Sequence, residues 1–112
     1  MRQLYRNKRA ELQGTLSASG GLTVFVTVPL GPSWEVKSID VKGNSALEPT
    51  ADTYVGVNSS GVHISNTFTG NGDTDSQPNT TLRVGESVAI VWAGGTPGAL
   101  MKAVVIYDEV SY

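Results

Sequence analysis

Two stretches decide how this chain folds: Pro29-Leu30-Gly31-Pro32-Ser33-Trp34-Glu35-Val36 and Leu82-Arg83-Val84-Gly85-Glu86-Ser87-Val88-Ala89-Ile90-Val91-Trp92-Ala93-Gly94-Gly95-Thr96-Pro97-Gly98. Each joins a Gly/Pro turn to an apolar run that begins or ends at a tryptophan. Proline gives no N–H to a ladder and marks where pairing stops. Residues 87–93 are almost continuously apolar, as a centre strand covered on both faces should be. Trp34 and Trp92 adjoin these apolar strands and are expected to be core anchors, because an indole contributes most when its large surface is buried.

Working outward, residues 22–28 alternate strictly, with Leu22, Val24, Val26 and Val28 on one side and Thr23, Phe25 and Thr27 on the other. That is the period of a half-buried strand. The strand over residues 34–42 breaks its own alternation. Trp34 and Val36 share one parity, and Ile39 and Val41 share the opposite one. A β-bulge near Lys37-Ser38 would return all four to one face, since a bulge inserts one residue into the pleat. Short strands are also expected over residues 12–17, 52–57, 62–68 and 80–84, and a long one over residues 99–110. In the last, Met101, Ala103, Val105 and Tyr107 oppose Leu100, Val104, Ile106 and Val110. Residues 69–79 contain no apolar side chain and read as the longest loop.

Composition agrees. The 112 residues include 14 Val, 11 Thr and 4 Ile, side chains stiff at χ1 that favour a pleated surface, punctuated by 13 Gly and 5 Pro. The length suits one domain with a modest core. The expected fold is all-β: a single sandwich, jelly-roll-like, of about eight antiparallel strands. No segment offers a helix.

Only 16% of residues are charged, against roughly 25% in an average soluble domain. The charge is uneven. Residues 1–11 hold four basic side chains against Glu11, net +3, while residues 12–112 hold four basic against nine acidic, net −5. Residues 1–11 therefore read as a basic N-terminal arm on an acidic β domain spanning 12–112. Arg2, Leu4, Tyr5, Arg6, Lys8 and Arg9 are the candidate partner-binding residues of that arm. Four charges are few for nucleic acid; the acidic body of a neighbouring copy fits them as well.

Chemistry is sparse. With no cysteine, disulfides, thiolate metal sites and cysteine nucleophiles are excluded. His63 is the single histidine, on a polar strand parity and without a G-x-S-x-G elbow, so a strand surface position is expected rather than a relay. Asp73 and Asp75 have the spacing of a calcium loop, but Gln77, Pro78 and Val84 stand where that loop needs Asp/Asn, Gly and Glu. They remain weak metal candidates, and Asx caps on their own turns are the simpler role. Gly70-x-Gly72 and Gly94-Gly95-x-x-Gly98 open no helix and read as turns rather than phosphate cradles. No metal and no cofactor are expected. No apolar run approaches the roughly 18 residues that cross a bilayer, and residues 1–9 lack the apolar core of a secretory signal. The chain is expected to be made and kept in a cytosol, with no membrane partner.

The run V-P-x-G-x-x-W-x-V at Val28 to Val36, T-G-N-G-D at Thr69 to Asp73 and L-R-x-G-E-x-x-x-x-x-W-x-G-G-x-P-G at Leu82 to Gly98 resembles small β-sandwich structural proteins of tailed bacteriophages. The resemblance covers about residues 22–107 and rests on turn signatures. It implies a non-enzymatic virion component, a multi-copy decoration or accessory protein on a capsid or tail surface. It also implies other virion proteins as partners, a homo-oligomer, and a virion location after synthesis in the host cytoplasm. The alternative from the residues is a carbohydrate-binding module that aids adhesion to a host surface. That function needs an exposed aromatic, with Trp34, Tyr54 and Tyr107 as candidates.

Overall fold

A computed structural model describes residues 3–29, 33–56, 62–63, 68–75, 80–83 and 85–111. Ten strands follow in chain order: β1 (Gln3–Thr15), β2 (Leu22–Thr27), β3 (Ser33–Gly43), β4 (Thr50–Gly56), β5 (Val62–His63), β6 (Phe68–Thr69), β7 (Gly72–Asp75), β8 (Thr80–Leu82), β9 (Ser87–Ala93) and β10 (Leu100–Ser111). No helix occurs among the described residues.

The strands form two antiparallel sheets. One runs β1-β10-β3, with β7 and β8 both on the far side of β3; the other runs β2-β9-β4, with β5 and β6 both on the far side of β4. Each of these short pairs occupies one strand position in two segments: β8 lies along Trp34–Val36 and β7 along Ile39–Lys42. Counted that way, there are eight positions in two sheets of four. From one position to the next the chain changes sheet at every step except that from β4 to the position shared by β5 and β6, which is the jelly-roll order.

The inner faces meet in one core. Trp34, Val36, Ile39 and Val41 of β3, Met101, Ala103 and Val105 of β10, and Val88, Ile90 and Trp92 of β9 are all buried in it. Fully burying such a side chain contributes about 1.5–3 kcal/mol. The four β3 residues share a face because the sheet slips between them: Ile106 pairs with Ser38 and Tyr107 with Val36, leaving Lys37 as the extra residue of a bulge. Lys37 reaches Asp108 at 3.5 Å.

Two expectations are corrected. Residues 3–11 do not make a separate arm. They lie in β1, whose register with β10 runs from Gln3↔Ser111 to Thr15↔Leu100 with one shift between Tyr5 and Lys8. No boundary falls between residues 11 and 12. The physical reason lies in β10, a centre strand that needs a partner for the backbone groups on its second side. Nor are residues 69–79 one loop. Gly72–Asp75 is a strand, held by backbone pairing to β3 rather than by any apolar pattern.

Candidate functional site

The richest grouping of polar chemistry lies on the outer face of the β1-β10-β3-β7 sheet, where strand alternation turns every second side chain away from the core. This face carries a groove of about 840 Å³. Its charged lining is Arg9 and Glu11 from β1, Asp40 and Lys42 from β3, and Lys102 from β10, with Val104 in the middle. The register orders them in rows. Lys102 stands opposite Lys42, and Val104 stands opposite Asp40 on one side and Glu11 on the other.

Within the groove, Arg9 and Glu11 form an ion pair at 2.9 Å with side chains 59% and 69% exposed. The Thr74 hydroxyl donates to the Asp40 carboxylate at 2.6 Å. The two lysines face each other directly, a like-charge arrangement that is mildly unfavourable in a cross-strand pair. The groove borders the outer edge of β1, the outermost strand of this sheet among the described residues.

The outer face of the other sheet carries a smaller aromatic patch. Phe25, 57% exposed, pairs with Ala89, which pairs in turn with Tyr54. Ala89 is fully buried between these neighbours although it points away from the core. His63 follows in the same row, opposite Tyr54.

Of the residues singled out by sequence, Trp34 and Trp92 are core side chains, 4% and 1% exposed. Trp34 and Tyr107 are thereby removed as sugar platforms, since Tyr107 is also buried, at 7%. Burial first, and the Glu109 carboxylate second, push the Tyr107 phenol above its ordinary pKa. Arg2 lies outside the described residues. Leu4 and Tyr5 pair with Val110 and Glu109, and Arg6 falls at the register shift. Lys8 and Arg9 are exposed. Asp73 accepts hydrogen bonds from the backbone N–H groups of Thr69 and Thr74, at 3.3 and 2.9 Å, and so caps its own turn. Asp75 pairs in register with Ile39. Among the described residues, no group of three His, Asp or Glu side chains is placed to hold a metal ion.

Sequence reasoning missed the groove residues Glu11, Asp40, Lys42 and Lys102. They are scattered over three strands, and only the register brings them together. It also missed a polar staple at one end of the sandwich. There the Thr96 hydroxyl accepts from the N–H groups of Ala46 and Leu47, at 3.1 and 3.0 Å, and the Thr96 N–H donates to Ser45 Oγ at 2.8 Å. Asn71 Nδ2 donates to the Ser45 carbonyl at 2.7 Å, and the Ser45 N–H donates to Asn71 Oδ1 at 2.8 Å.

No family model matches the chain, and no curated protein matches it significantly. Among solved structures it is similar to a protein of Bacillus endospore appendages, which form a family of disulfide-linked pili. That alignment has a TM-score of 0.54 and 15% identity over 99% of this chain and 90% of that one. A chain of the acid-stable capsid of Helicobacter pylori bacteriophage KHP30 aligns over 100% of both chains, with a TM-score of 0.48 and 15% identity. The carbohydrate-binding module TmCBM61, solved with β-1,4-galactotriose, aligns over 96% of this chain and 86% of that one, with a TM-score of 0.41 and 12% identity. At these identities the first likeness speaks for the fold alone, and the other two carry no argument.

Proposed function

We propose that the protein is a non-enzymatic structural component of a bacteriophage virion, a small multi-copy decoration or accessory protein docked on a capsid or tail surface. The observation that carries this reading is where the polar chemistry sits. It lies on an open, mixed-charge sheet face beside a 13-residue edge strand whose outer side pairs with no strand among the described residues, while both tryptophans fill the interior. A face and an edge of that kind suit repeated contact with a neighbouring surface, and weak single contacts gain strength when many copies attach to one lattice. The turn signatures at Val28 to Val36 and Leu82 to Gly98 point the same way. The appendage protein of similar fold belongs to a family of disulfide-linked pili; this chain has no cysteine, so contacts between its copies would be made without disulfides.

The test is direct. Particles purified from an infected culture, probed by mass spectrometry and by antibody labelling in the electron microscope, should carry the protein in many copies. Purified protein should also co-sediment with particles that lack it. Absence from particles in both experiments overturns the proposal.

The second reading, carbohydrate binding, keeps one specific support: Phe25 is exposed with Tyr54 two strands away on the same face. A sugar stacking there would lose affinity in Phe25→Ala, and glycan titration followed by chemical-shift change reads it. Tryptophan fluorescence would stay silent, because both indoles are shielded.

A further inference from the structure

The edge of β1 carries a self-complementary pattern of backbone and charge. Leu16 donates its N–H to the Ala99 carbonyl, and its own carbonyl accepts from Gly98, so the Leu16 backbone faces β10. The register holds without slippage from Lys8↔Tyr107 to Thr15↔Leu100. Backbone groups of successive strand residues point to opposite sides. Lys8, Ala10, Leu12 and Gly14 therefore turn their N–H and C=O toward β10, and Arg9, Glu11 and Gln13 turn theirs to the free edge. That edge has no strand partner among the described residues. Unpaired edges are templates for another strand.

A second copy laid antiparallel on this edge must set outward-facing residues opposite outward-facing residues. A two-fold axis at Arg9 or at Glu11 puts that residue opposite itself, like charge on like charge. An axis at Leu12 pairs Arg9 with Thr15 and Glu11 with Gln13. Only an axis at Ala10 sets Arg9 of each copy opposite Glu11 of the other. In that register the same two residues exchange backbone hydrogen bonds, and their four charges alternate in a square. Arg9 and Glu11 already meet along their own strand at 2.9 Å, and both remain more than half exposed, so each has room for the opposite charge across the axis. Ala10, directly on the axis, is small enough for the close approach of a non-hydrogen-bonded pair.

We infer that two copies of this chain pair antiparallel through β1, edge to edge, about a two-fold axis at Ala10. The contact is isologous: one short patch meets itself. It deepens the multi-copy reading above and rests on that reading only for its purpose in a particle. The pairing itself is a property of the purified chain.

Sedimentation across a concentration series into the high micromolar range tests it. The unaltered protein should show reversible dimerisation. Arg9→Glu alone puts four carboxylates around the axis, and Glu11→Arg alone puts four cations there; each variant should stay monomeric and folded by circular dichroism. An equimolar mixture of the two should form heterodimers, and the Arg9→Glu/Glu11→Arg double variant should dimerise again. Because the chain has no cysteine, Ala10→Cys introduces its one thiol. Mild oxidation should give a disulfide dimer with Ala10→Cys and not with Gln13→Cys, whose opposite residue in this register is position 7. A protein monomeric throughout, dimers indifferent to the single reversals, or a mixture that stays monomeric would each overturn the pairing. Dimers in solution with no protein on particles would leave this inference standing and remove the virion reading; protein on particles with no dimer in solution would do the reverse.

Discussion

The indole of Trp34 lies flat against the phenol ring of Tyr107, with ring centroids 3.8 Å apart and planes inclined by 14°. The stack runs diagonally across β3 and β10, since Tyr107 pairs with Val36 and Trp34 pairs with Glu109. It closes one end of the core and places a titratable hydroxyl where ionisation is costly. Burial is the main cause that raises the Tyr107 pKa, with Glu109 adding to it.

The sign of the pH effect follows. A phenol whose folded pKa lies above its unfolded value of about 10 leaves stability untouched below that pH. Above it the unfolded chain ionises first, so stability falls as pH rises through the folded pKa. Denaturant midpoints measured from pH 8 to 11.5 should drop more steeply for the unaltered protein than for Tyr107→Phe. Equal slopes would show that the phenol is not buried in this way.

Thr53 is wholly buried opposite Ile90, and its hydroxyl has no hydrogen-bond partner among the described residues. An unmet buried hydroxyl costs about 1–3 kcal/mol, and an apolar group of the same shape removes that cost. Thr53→Val should therefore stabilise by about 1 kcal/mol, a rise of about 4–8 °C in Tm. Thr27→Val is the contrast. It breaks the 2.7 Å bond between Thr27 and the buried Ser87 hydroxyl, and should lower Tm.

The bulge gives a test by deletion. Without Lys37, Trp34, Val36, Ile39 and Val41 fall into strict alternation and the register with β10 becomes continuous. That variant should fold, losing only the local twist and the Lys37–Asp108 pair. Deleting Glu35 instead throws Trp34 out of phase with Val36, and a one-residue slip sends a side chain to the opposite face. That variant should be unfolded or molten by near-ultraviolet circular dichroism. Two folded variants would refute the bulge as the device that aligns this face.

What was legible in the sequence was whatever periodicity writes locally. The parity break between Val36 and Ile39 announced the bulge, and the alternation at Leu22 to Val28 announced a half-buried strand. Partnership was not legible. Gln3 to Glu11 carry charges and no clean period, because their place at the sheet edge is fixed by backbone bonds to β10, roughly a chain length away. Gly72–Asp75 is a strand without one apolar side chain for the same reason. The groove escaped because Arg9, Asp40 and Lys102 become neighbours only through register, and the Thr96 staple because its partners are about 50 residues distant.

That staple is the most exacting case of a role hidden behind turn chemistry. Gly94-Gly95-Thr96-Pro97-Gly98 reads as a bare turn, yet Thr96 ties it to the loop after β3. Its hydroxyl accepts two backbone N–H groups, and its own N–H meets the buried Ser45 hydroxyl, which in turn donates to the Leu47 carbonyl. Thr96→Val keeps the shape and removes the acceptor. It should cost about 1 kcal/mol in urea denaturation, the net worth of a hydrogen bond whose freed N–H groups are exposed to water. Thr96→Ser retains the oxygen and should recover most of the loss. Amide exchange localises the effect: the N–H groups of Ala46 and Leu47 should exchange faster in Thr96→Val and at the native rate in Thr96→Ser. Unchanged exchange at both positions in Thr96→Val would mean that the loop is held by packing on Pro49 and Gly95, and that the hydroxyl is incidental.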